Sequence, residues 1–160
     1  METWIVLRLP RDAASVAVIR QILDSTLLTL GVVTSIRDDI KLILSEACSN
    51  AIRHAVRGHD YTVQVAVTED RCTIRVIDEG EGFELDTVPA PPNGVAVDLD
   101  SAVIASPVTE HGRGLQIMRA LADDLHVIKA EHSSAVSVEK FLRFYDDAPG
   151  RVLRHPLVPH

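Results

Sequence analysis

Glu46 and Asn50 stand one helical turn apart in the stretch Leu44-Ser45-Glu46-Ala47-Cys48-Ser49-Asn50-Ala51-Ile52-Arg53-His54-Ala55. Residues three and four apart share a helix face, so Glu46, Asn50, Arg53 and Arg57 line up. A carboxylate and an amide so placed could hold a metal ion and activate a hydroxyl. The same residues would equally form a solvated face with a weak ion pair. Two glycine motifs follow. Asp78-Glu79-Gly80-Glu81-Gly82-Phe83 has the form D-x-G-x-G-F, and Gly80 and Gly82 permit either a sharp turn or the close approach of a ligand. His111-Gly112-Arg113-Gly114-Leu115 opens a helix. Free amides and a positive dipole end there suit an anion, with Arg113 adding charge, although a hinge before an ordinary helix would need the same glycines.

These residues need elements to position them. Trp4, Val6 and Arg8 alternate with Ile5, Leu7 and Leu9, which predicts a strand closed by Pro10. Asp12 can cap a helix whose Val16, Ile19, Leu23, Leu27 and Leu30 share a face and which stops at Gly31. The long helix should start from Thr34 or Ser35 as N-cap, hold Asp38 and Asp39 in its first turn, and end at Gly58. Ile36, Ile40, Ile43, Leu44, Ala47, Ala51 and Ala55 form its core row. Alternation over Tyr61–Thr68 and Cys72–Ile77, joined by Glu69-Asp70-Arg71, predicts an antiparallel hairpin. Parity then places Asp78 on the side of Cys72, Ile74 and Val76. A carboxylate at the end of an apolar row requires a donor.

Residues 84–111 contain Pro89, Pro91, Pro92 and Pro107 without periodicity and read as a lid, in which Val95 to Ile104 is apolar enough for a short helix or cover. A helix with Leu115, Ile117, Met118, Leu121 and Ala122 follows, then strands over Leu125–Ile128 and about Val136–Leu142. The expected organisation is one domain over 1–145 and a flexible tail over 146–160. Grouped helices and hairpins predict an α+β, two-layer sandwich: a mixed, mostly antiparallel sheet covered on one face by helices.

A net charge of −7 on 160 residues, with no basic run, argues against direct nucleic-acid binding. Cys48 and Cys72 match neither a disulfide framework nor zinc spacing and suit small core residues in a reducing cytosol. No apolar run approaches the roughly 20 residues of a bilayer span. A soluble cytoplasmic protein without membrane association is expected.

The ordered set, E-x-x-x-N on a helix, D-x-G-x-G-F after a strand, a long lid and G-x-G-L opening a helix, resembles the Bergerat-type ATP-binding domain shared by gyrase, the Hsp90 chaperone, histidine kinases and mismatch-repair ATPases. With Ser45-Glu46-Ala47-Cys48-Ser49-Asn50-Ala51 and Gly114-Leu115-Gln116-Ile117-Met118, the chain is most similar to the bacterial anti-sigma factor serine/threonine kinases of spore and stress regulation. The resemblance spans about Trp4 to Leu142. It implies ATP and Mg²⁺ as cofactors, with Asp78 accepting the adenine amino group, Asn50 ligating Mg²⁺, and Gly112, Arg113 and Gly114 facing the phosphates. It casts Glu46 as the base toward a substrate serine, with Arg53 near the phosphates or in a surface ion pair, and Gly80, Gly82, Leu115 and Ser134 also around the nucleotide. At Ser133-Ser134-Ala135 the chain departs from the family's usual Gly-Thr pair, but Ser134 keeps a hydroxyl. The implied function is phosphorylation of an anti-anti-sigma antagonist and sequestration of a sigma factor by a homodimer. Alternatives are a non-catalytic nucleotide-dependent partner-switching module, the catalytic part of a split histidine kinase, and a nucleotide-free scaffold.

Overall fold

The computed structural model describes residues 2–54, 58–79, 95–96, 110–129 and 133–152. The chain begins with β1 (Thr3–Pro10) and α1 (Ala13–Leu30). Asp12 is extended at φ −129° and its side chain accepts from the Ala14 amide, while Gly31 at φ 80° closes the helix with its N–H on the Leu27 and Leu28 carbonyls. Both caps fall where the sequence placed them. α2 (Thr34–His54) starts one step earlier than expected. The Val33 carbonyl accepts from the Arg37 amide, so Thr34 is already helical, and Asp38 and Asp39 lie beyond the first turn. They make ion pairs instead, Asp38 with Lys41 at 2.8 Å and Asp39 with Lys140 at 3.0 Å. Gly58, at φ 81°, lies past the described end of the helix.

β2 (Asp60–Val67) and β3 (Arg71–Glu79) form the expected hairpin, its turn held by the Thr68 amide on the Arg71 carbonyl. Two residues of the proline-bearing segment, Val95–Ala96, form β4 against β5 (Asp124–Lys129). The rest of the expected cover over Val95 to Ile104 lies outside the described residues. Between them come α3 (Glu110–Leu121), and after β5 the strand β6 (Ser133–Phe141). The sheet runs β1-β2-β3-β6-β5-β4. Every described pairing is antiparallel, so the α+β two-layer class holds while the expected parallel component is absent among the described residues.

Register fixes what each face carries. Ile5, Val65, Ile74, Val138 and Leu125 stand abreast, as do Leu7, Val63, Val76, Val136 and Val127. These rows meet the buried stripe of α2, namely Ile36, Ile40, Ile43, Leu44, Ala47, Cys48 and Ala51, and Ile19, Leu23 and Leu27 of α1. On the opposite face Trp4, on the edge strand, is 62% exposed, while Thr62, Gln64, Ala66, Ile77 and Ser137 in the central strands are buried. α1 has the 18 residues and apolar composition of a membrane span, contrary to expectation. Its Ile19, Leu23 and Leu27 are nonetheless fully committed to the protein core.

The chain after β6 packs back on the α1–α2 corner up to the start of the expected tail, of which residues 153–160 lie outside those described. Phe144 bridges Val32, the Val33 amide donates to Arg143, and the Tyr145 amide donates to Gly31. Ala148 is 3% exposed, and α4 (Pro149–Val152) follows it. A Cβ on Gly31 would lie 2.2 Å from the Ala148 Cβ. Gly31→Ala thus meets both a left-handed backbone and a filled site, which together should cost about 2–4 kcal/mol. Thermal melts should show Tm lower by about 4–16 °C; an unchanged Tm would contradict this packing.

Candidate nucleotide site

α2 packs over β3 and β6 and against α3. Its core row fixes the rotation of the helix, which leaves Glu46 and Asn50 half-buried on the flank facing α3 and Arg53 exposed. Gly114 lies directly against this pair: a Cβ there would sit 2.7 Å from Glu46 Oε2 and 3.6 Å from Asn50 Oδ1. The acid and the amide are therefore brought to one place with the first turns of α3.

That contact revises the reading of the glycine run. α3 begins at Glu110, so Gly114 is inside the helix and its amide belongs to the internal ladder. The amides without intrahelical acceptors are those up to Gly112. Gly112 remains where an anion could be met, whereas Gly114 leaves room for the end of the Glu46 side chain. Arg113 is exposed beside this end, and Leu115 is half-buried and packs against the core.

On the sheet, Asp78 is 9% exposed and shares the helix-facing parity of Cys72, Ile74 and Val76, as expected. It stands in the cross-sheet row Leu9, Tyr61, Asp78, Ser134, Lys129. Ser134 is thus abreast of Asp78, and the Ser133-Ser134-Ala135 departure lies within regular β6. Gly80, Gly82 and most of the expected lid lie outside the described residues, and nothing structural bears on them.

The donor that Asp78 needs is present within the chain. Arg11, immediately after β1, donates from Nη2 to Asp78 Oδ1, and the two side chains are only 11% and 12% exposed. Sequence reasoning missed Arg11. Parity signalled that some donor was required, but choosing this one needs the strand order that sets the end of β1 two strands from Asp78.

Among the described residues, no group of three or more His, Cys, Asp and Glu side chains could hold a metal. Asn50 with Glu46 nevertheless offers hard oxygen donors, which fit Mg²⁺, a cation that keeps several waters and takes few protein ligands. Cys48, next along α2, is not part of this chemistry. Burial pushes its thiol up to about 12 despite a hydrogen bond with Tyr61, and burial likewise pushes the Tyr61 phenol, bonded to Ser15, and the Cys72 thiol up to about 12.

A model of the histidine kinase-like ATPase domain matches residues 9–140 of the chain. Serine-protein kinase RsbW of Bacillus pumilus is 32% identical over 146 residues, covering 86% of this chain and 85% of its own. That of Bacillus licheniformis is 30% identical over 148 residues, covering 87% and 86%. A crystal structure of the RsbU and RsbW domains of Rv1364c from Mycobacterium tuberculosis superposes with a TM-score of 0.62 at 16% identity, over 88% of this chain and 33% of that one, and shows the shared fold. The chain belongs to the histidine kinase-like ATPase domain family and, within it, to the anti-sigma serine-protein kinase group.

Two outcomes follow from the site's packing. The atom nearest a Gly114 Cβ is the mobile end of Glu46, and alanine gains about 1 kcal/mol of helix propensity. Gly114→Ala should therefore leave Tm within about 3 °C while displacing Glu46; a large fall would mean that Glu46 cannot move. The raised thiol and phenol values mean that the folded chain holds more protons than the unfolded one above their ordinary values of 9.0 and 10.0. Stability from these groups is full below those values and is lost as pH rises toward about 12. Tm should fall from about pH 9 upward, and a flat alkaline profile would show that these groups ionise freely in the fold.

Proposed function

We propose that the chain is an ATP-dependent protein serine kinase and anti-sigma regulatory factor, which phosphorylates an anti-anti-sigma antagonist and sequesters a sigma factor. The observation that carries this reading is the meeting of Glu46 and Asn50 at Gly114, beside the start of α3. Phosphoryl transfer needs positioning and charge neutralisation more than covalent chemistry. Half-buried Glu46 can take the proton from a serine hydroxyl held at this flank. The serine oxygen then bonds to the γ-phosphorus as its bond to the bridging β–γ oxygen breaks, and ADP departs. Asn50 would hold Mg²⁺, which supplies charge neutralisation across the phosphates. The unpaired amides up to Gly112, with Arg113, would face the phosphates, and Arg53 lies exposed further along α2. Asp78 would accept the adenine amino group with Ser134 abreast of it, and Gly80 and Gly82 belong to the same proposed site. A homodimer acting in the cytoplasm completes the reading; the serine-protein kinase name of the Bacillus relatives supports its kinase part.

Incubation with Mg-ATP and candidate antagonists should yield acid-stable phosphoserine. Glu46→Gln should lower the transfer rate by about 10²–10⁴-fold, the usual worth of a positioned general base, with nucleotide binding retained. Binding without phosphoserine, and no effect of Glu46→Gln, would favour a non-catalytic partner switch; acid-labile phosphate would indicate histidine chemistry. Asp78→Asn also removes the counterion of Arg11, so its loss of ATP affinity should be accompanied by a lower Tm.

A further inference from the structure

The apolar side of α3 does little to fix its position. Among its described side chains only Met118 is fully buried, while Leu115, Ile117 and Leu121 are half-buried. Methionine is unbranched and adapts to the space it is given, and apolar burial has no direction of its own. Such packing keeps α3 on the sheet without setting how far it sits along its axis.

Lys140 supplies what that packing lacks. It pairs with Cys72 on the core-facing side of β6, a strand flanked by β3 and β5, and its side chain is 13% exposed. From there Nζ donates to the Leu121 carbonyl in the last turn of α3 and lies 3.0 Å from Asp39 Oδ2 on α2. A helix C-terminus offers carbonyls without intrahelical partners and the negative end of the dipole, both suited to a cation. A buried ion pair stabilises little relative to apolar packing of the same volume. What it adds here is geometry, because one ammonium ties both helices to a central strand.

Two contacts along α2 and α3 are evenly matched. Seven residues separate Asp39 from Glu46, and seven separate Gly114 from Leu121. On each helix that is two turns, about 10.5 Å. With Asp39 and Leu121 joined through Lys140 at one end and Glu46 facing Gly114 at the other, the helices run antiparallel over this seam. A shift of α3 at the Lys140 end therefore carries Gly114, and the free amides before it, the same distance past Asn50.

We propose that Lys140 is a positioning residue of the nucleotide site, setting the axial register of α3 against α2 and thereby the height of the α3 start beside Asn50. This rests on the reading of that helix start as the phosphate side. The register then governs the β- and γ-phosphates and not the base, whose proposed contacts lie on the sheet.

Calorimetric titration of the full chain with Mg-ATP and Mg-AMP, which share base and ribose, tests this. The wild type should prefer ATP. Lys140→Met, which keeps the stem and loses the charge, should cut that preference by at least about fivefold, with AMP affinity within about twofold of wild type, the population cost of one charge-assisted contact. Asp39→Asn, at a partly exposed position, should cut it by about two- to fivefold, and the double variant should fall no further than Lys140→Met. Spin labels at Leu42→Cys and Gln116→Cys, both exposed, read the register directly, since Cys48 and Cys72 are buried. Lys140→Met should shift or spread the label distance by about 1.5–5.4 Å, one residue to one turn of rise. An unchanged ATP preference in either variant, an equal loss for ATP and AMP, or an unmoved label distance would overturn the role of Lys140 while leaving the nucleotide site intact. A wild type that binds no nucleotide, or binds ATP no better than AMP, would remove the phosphate-side reading and the proposal with it.

Discussion

A carboxylate at the end of an apolar strand row cannot be left unpaired, because burial penalises its charge heavily. Asp78 ends the row that begins with Cys72, Ile74 and Val76, and the chain meets the requirement with Arg11. Much of the surrounding architecture serves that pairing. β1 must lie beside β2 for its end to come within reach of β3, Pro10 must end the strand, and Asp12 must start α1 directly afterward. A single charged contact thus ties the first strand–helix corner to the middle of the sheet.

The second organising contact is between helices. α2 carries an almost unbroken buried stripe on one side, which leaves little rotational freedom and aims Glu46 and Asn50 at α3. Gly114 lets α3 come close enough for its early turns to lie beside that acid and amide. Helix packing at Gly114 and the free-amide helix start at Gly112 are neighbouring consequences of one short segment, separated by only two residues.

The elements were legible because their signals are local: alternation in β1 to β3, the spacing of isoleucines on α2, and the caps Asp12 and Gly31. Parity also put Asp78 on the correct face. What escaped the sequence depends on distant partners. Asp38 and Asp39 looked like dipole-matching residues of a first turn, but the turn starts earlier on Val33 and Lys140 claims Asp39. Gly114 looked like part of a phosphate loop because its neighbour Glu46 is remote in sequence. The tail looked free because Pro149 and Gly150 are common in loops, yet Ala148 fits the space beside Gly31.

The return of the chain after β6 to the α1–α2 corner does more than bury Ala148. Main-chain bonds from Val33 to Arg143 and from Tyr145 to Gly31 join the α1–α2 corner to the segment after β6 by backbone. The family-matched region ends at residue 140, ahead of this latch. A shortened chain stopping there would lose only Phe141, the partner of Arg71, from the pairing of β3 and none from that of β5, but would uncover Val32 and loosen the corner from which α2 departs. Packed structure therefore continues past the last strand, through Ala148 and into the short helix after it.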